Sequence, residues 1–151
     1  MTPKKHAPER ELINAVFPAE KKKLDDIRKL IGTALHKHGF SPNKIAGMEI
    51  SVVEHCENLI KHAYVGNKGD KGDIKIHAEI KHPVAKIRIS DSAPAFNMFK
   101  AKLPELSERI KKGIGGKMGI RIIMSMCTDV KYARKNGRNE NTFIMKDSAG
   151  V

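Results

Sequence analysis

Apolar positions recur along this chain with two periods. Leu24, Ile27, Leu30, Ile31 and Leu35 fall at helical spacing within residues 19–37, and Gly39 follows as a stop. A second helix opens at Ser41, an N-cap, with Pro42 at its first position; its apolar stripe is Ile45, Met48, Val52, Cys56, Leu59, Ile60 and Ala63. Alternation with period two marks strands at residues 73–80 and 84–91, joined by a turn at Lys81-His82-Pro83. An earlier strand is expected at residues 11–17, closed by Pro18. Residues 66–72 form a charged, turn-rich loop, and residues 92–116 a long irregular segment with a glycine cluster. Ile120, Ile122, Ile123, Met124, Met126 and Cys127 then read as a further apolar helix. Strands at 130–134 and 142–146 close the chain around Asn136-Gly137, a hairpin signal.

No repeat or linker interrupts this order. It predicts one domain over residues 11–146, between a disordered tail at 1–10 and a C-terminal tail at 147–151. The expected fold class is an α+β two-layer sandwich, a mixed, mostly antiparallel sheet with helices on one face.

Composition narrows the class. At 151 residues, 40% hydrophobic and 30% charged, the chain has the balance of a globular domain with one core. No apolar run approaches the ~20 residues of a membrane helix, and the basic N-terminus leads into no apolar signal segment. The two cysteines, Cys56 and Cys127, lie far apart in apolar stretches and read as reduced core residues of a cytoplasmic protein. A net charge of +12 raises the expectation of an acidic partner or a polyphosphate. Nucleic acid is disfavoured: the aromatics are five Phe and two Tyr, not interleaved with basic residues, and no recognition signature is present.

Candidate chemistry centres on Glu54 and Asn58, one turn apart on the second helix and therefore on the same side of it. A carboxylate can take a proton from a hydroxyl, and a carboxamide oxygen can ligate Mg²⁺ without adding charge beside a polyphosphate. Asp91 ends a buried strand and is followed by small and turn residues, Ser92-Ala93-Pro94-Ala95. Such a carboxylate can accept a hydrogen bond from an adenine amine, and small residues let a flat ring approach the backbone. Gly113-Ile114-Gly115-Gly116-Lys117-Met118-Gly119 leads into an apolar helix, so its backbone N–H groups can face phosphate. It is not a Walker A loop, since no GxxxxGK[ST] is present.

In this order, the motifs resemble the GHKL (Bergerat) ATP-binding fold shared by gyrase and sensor histidine kinases. Within it, the chain is most similar to the single-domain anti-sigma factor serine kinases. Glu54-His55-Cys56-Glu57-Asn58-Leu59-Ile60-Lys61-His62-Ala63-Tyr64 resembles that family's E-x-x-x-N-x-x-x-H-A/G-Y helix. Residues 104–116 look like its lid, and residues 119–132 like its G-L-x-L-I-x-x-L-x-D-x-V-x-Y stretch.

The resemblance implies an ATP- and Mg²⁺-dependent kinase that phosphorylates an anti-sigma-factor antagonist and sequesters a sigma factor. It also implies a possible homodimer. Glu54 would be the general base, Asn58 the Mg²⁺ ligand and Asp91 the adenine partner. Ala93, Ala95 and Thr142 would complete the adenine side, while Gly115, Gly116, Lys117 and Gly119 would line the phosphates. Two departures stand out. Ala93 and Ala95 occupy the glycine positions of the family's D-x-G-x-G, and Lys117 replaces a glycine. An alanine forced to positive φ costs about 1 kcal/mol or more. The alternative expectation is therefore the same fold kept as a regulatory binding module with little turnover.

Overall fold

The computed structural model describes residues 9–63, 72–97 and 126–147. The expected lid, the glycine turn carrying Gly115, Gly116, Lys117 and Gly119, and the helix expected from Ile120 lie outside the described residues, apart from Met126 and Cys127.

Strand β1 (Glu11–Pro18) leads through a single 3-10 turn at Lys21–Lys23 into helix α1 (Leu24–Lys37), and α2 (Pro42–Asn58) follows. Strands β2 (Asp73–Lys81) and β3 (Val84–Asp91) form one hairpin, β4 (Asp129–Lys135) and β5 (Arg138–Lys146) another. The sheet order is β1-β2-β3-β5-β4, and all four pairings are antiparallel. The α+β sandwich expected from the sequence is the fold observed.

Alternation on the strands sends one face to the helices. Ile74, Ile76, Ala78 and Ile80 of β2, Ala85, Ile87 and Ile89 of β3, and Phe143 and Met145 of β5 are buried there. They meet Ile27, Ile31 and Leu35 of α1 and Met48, Val52 and Cys56 of α2. The helices approach closely at Gly32, where an added Cβ would lie 2.2 Å from Glu49 Oε1. The other sheet face carries Lys75, Lys81, Lys86, Arg88, Lys131 and Lys135, all exposed, so part of the basic excess is concentrated on it.

Ser41 holds the N-cap position of α2, but its side chain does not cap the helix. Its backbone N–H donates to Asp147 Oδ2 at 2.7 Å, and its hydroxyl to Oδ1 at 3.3 Å. Asp147, assigned by sequence to the C-terminal tail, is buried and ties the start of α2 to the end of β5. The segment after α2 widens into a π-helical turn, Leu59–Ala63, directly beyond Asn58. Such turns recur at functional sites because they displace the side chains that follow from the regular helical face.

Candidate nucleotide site

Asp91 is the last residue of β3 and only 1% exposed. Its Oδ1 accepts the Ala93 backbone N–H at 3.0 Å and the Asn139 amide at 2.9 Å. Its Oδ2 is buried and has no hydrogen-bond partner among the described residues. Burial raises the carboxyl above the ordinary carboxylate range; Asn139, the Ala93 N–H, Arg138 and Arg134 pull it back down without cancelling that shift. An unsatisfied buried acceptor costs about 1–3 kcal/mol. A ligand N–H would satisfy it, and the exocyclic amine of adenine fits.

The loop after Asp91 is held by side chains from the β4–β5 hairpin. Asn139 stands directly opposite Asp91 in the β3–β5 register. Its Nδ2 also reaches the carbonyls of Ala93 and Pro94, both at 3.1 Å. Its Oδ1 accepts the Tyr132 hydroxyl at 2.5 Å and the Phe96 N–H at 3.3 Å. With acceptors around the nitrogen and donors around the oxygen, only one orientation of the amide satisfies the network. Arg134 adds a hydrogen bond to the Ala93 carbonyl at 2.8 Å. Arg138 donates to the Ser90 hydroxyl and to Asp73, each at 2.6 Å.

Ala93 is buried and Ala95 exposed. Among the described residues the only non-glycine with positive φ is Asn136, so neither alanine carries the strain anticipated for a glycine position. The cross-strand hydrogen bonds shape this loop instead.

Helix α2 runs beside this end of the sheet. Burial and the nearby charge of Asp91 together push the Cys56 thiol up to about 12. His55 is buried and stands edge-on to Phe143 of β5. Glu54 and Asn58 flank this inward stripe, both half-buried. Glu57 is ion-paired with Lys61, whereas Glu54 has no ion pair or hydrogen bond among the described residues. Asn58 likewise has no hydrogen-bond partner among the described residues; its amide oxygen is of the type that could hold a Mg²⁺ ion. No cluster of three metal-binding side chains occurs among the described residues.

Thr142 does not join this group. Alternation on β5 turns Asn139, Asn141, Phe143 and Met145 toward the helices and leaves Thr142 on the opposite face. Asn141, its neighbour, takes the inward place and is 3% exposed, with a buried Oδ1 that has no partner among the described residues. Sequence reasoning missed Asn139, Asn141 and Tyr132. The available signal was two asparagines at alternate positions in line with Phe143 and Met145, where a strand's core face would otherwise be apolar.

The family model of the histidine kinase-like ATPase domain matches residues 17–146. The chain belongs to this family. As a histidine kinase-like ATPase domain it is similar to the serine-protein kinase RsbW of Bacillus pumilus (strain SAFR-032), 23% identical over 132 residues, which cover 84% of this chain and 81% of that relative. RsbW of Bacillus thuringiensis subsp. konkukian (strain 97-27) is 25% identical over 131 residues, covering 84% and 80%. Among solved structures, that of the RsbU and RsbW domains of Rv1364c from Mycobacterium tuberculosis covers 91% of this chain with a TM-score of 0.63 and 14% identity. This chain spans 32% of that one, and the likeness is one of fold. The resemblance to serine kinases of the GHKL fold, drawn from the helix and terminal motifs, is borne out. No helix among the described residues is long and apolar enough to cross a membrane.

Proposed function

We propose that this protein is an ATP-dependent serine/threonine kinase that phosphorylates an anti-sigma-factor antagonist and, in the alternate state of a partner switch, holds a sigma factor. The observation that carries this reading is the buried Oδ2 of Asp91, without a hydrogen-bond partner among the described residues, beside the helix bearing Glu54 and Asn58. Asp91 selects the base by accepting its amine. Asn58 would hold the metal through its amide oxygen, and Gly115, Gly116, Lys117 and Gly119 are assigned to the phosphates. Mg-ATP, when bound, supplies the phosphoryl group with its charge partly neutralised. Glu54 accepts the proton of the attacking serine hydroxyl, and the rest of the rate comes from positioning. The named activity of the RsbW relatives supports the same reading. The alternative, the same fold kept as a regulatory binding module with little or no kinase activity, draws on Ala93 and Ala95, and the backbone strain expected of them is absent, since neither alanine has a positive φ.

Titration with ATP, with and without Mg²⁺, tests the site. Transfer of labelled phosphate to a candidate antagonist tests the reaction. Glu54→Ala is expected to keep nucleotide affinity and to lose transfer by about 100-fold or more. Absence of binding at millimolar ATP would end the proposal.

A further inference from the structure

Resting on the nucleotide reading above, we propose that Asn139 is the positioning residue of the base-recognising carboxylate. It locks Asp91 Oδ1 and the loop through Phe96 into one network, so that Oδ2 alone is presented to the nucleobase.

A free carboxylate rotates and offers either oxygen. Here Oδ1 has two donors, the Ala93 N–H and the Asn139 amide, and turning the group would break both bonds. Asn139 is itself held from both ends, by the Ala93 and Pro94 carbonyls on its nitrogen and by Tyr132 and Phe96 on its oxygen. It is 3% exposed, so water cannot readily replace a lost partner. One side chain thus ties the end of β3, the adenine-side loop and β4 together. Among the described residues, the charged and titratable groups around Asp91 are Arg134 and Tyr132 from β4, Arg138 from β5 and Cys56 from α2. Because the Asn139 hydrogen bond favours the ionised carboxylate, its removal moves Asp91 protonation to higher pH.

The test is binding of a fluorescent ATP analogue and of adenosine by the full chain between pH 5 and pH 8. Asn139→Ser is expected to weaken both ligands about 10-fold at pH 7.5, and to move the acid limb of binding upward in pH. The affinity ratio with and without Mg²⁺ should not change, since a metal held on the phosphates would be at the end of the ligand away from the base. A purely structural role would lower the melting temperature and leave the acid limb in place. Wild-type affinity with an unmoved acid limb in Asn139→Ser overturns the inference. If Asn139→Ser does not fold, Asn139→Asp carries the test, because it keeps the side chain's size and removes the amide that donates to Asp91; an unmoved affinity and acid limb there overturn it equally. The wild-type arm separates the two failures. No binding by wild type ends the nucleotide reading and this inference together, whereas normal wild-type binding with indifferent variants ends this inference alone.

Discussion

The His55 ring meets the Phe143 ring edge-on, with centroids 5.5 Å apart and planes at 72°. This contact joins α2 to β5 through a fully desolvated imidazole, whose pKa burial pulls from 6.5 down to about 4. The unfolded chain therefore binds a proton that the folded chain refuses between those values. The contribution of His55 to stability is complete above pH 6.5 and is lost at up to about 1.4 kcal/mol per pH unit on the way down toward pH 4. Urea midpoints at pH 7 and pH 5 should show the loss in wild type and a flatter profile in His55→Leu. Parallel profiles would place the acid sensitivity elsewhere.

Restoring glycine to the loop after Asp91 should not help. Ala93 and Ala95 lie outside the left-handed region, so Ala93→Gly and Ala95→Gly each add unfolded-chain entropy and relieve nothing. The expected cost is about 0.5–1 kcal/mol in thermal unfolding, with no gain in nucleotide affinity. A variant that binds ATP several-fold more tightly would show that the alanines do constrict the pocket.

Neither cysteine should behave as a reactive thiol. Cys56 is buried and pushed to about 12, and Cys127, half-buried, to about 11. A thiol reagent at pH 8 should label neither within minutes in the native protein and both after denaturation. Fast stoichiometric labelling of native Cys56 would show that α2 opens readily.

The β4–β5 turn requires its own residues. Asn136 has φ 52° and Gly137 φ 74°, the paired positive values of a type I′ hairpin. Gly137→Ala should cost about 1–2 kcal/mol and Asn136→Gly almost nothing, measured as denaturant midpoints. Equal effects would mean that the turn rearranges.

Much of the fold was legible because the core obeys its periods. Ile74 to Ile80 and Ala85 to Ile89 alternate cleanly, and Asn136-Gly137 announced the closing hairpin. The start of β5 was not legible. Arg138, Asn139, Glu140 and Asn141 are all polar, so a strand expected from Thr142 in fact begins at Arg138. Those inward asparagines sit where apolar side chains would have extended the pattern, and Asn139 is the one that organises Asp91. Thr142 was assigned to the nucleotide by resemblance, and the strand's alternation turns it away. Glu54, Asn58 and Asp91 were legible as candidates because their spacing on a helix and at a strand end is a local property. Asn139 acts across 48 residues of sequence, which no local pattern reports.

That long reach has a consequence for how the chain matures. In the sheet β5 lies between β3 and β4, and β4 pairs with no other described strand, so the last described strand to be synthesised is the one that joins β4 to the rest of the layer. Until Asn139 has emerged and paired, Asp91 lacks its cross-strand partner and the loop behind it lacks its anchors. The nascent chain should therefore acquire its core helices early and its affinity for nucleotide only at the end. Ligand binding would then report a completed molecule, and premature termination before Arg138 would yield a chain that hides apolar surface yet cannot recognise a base.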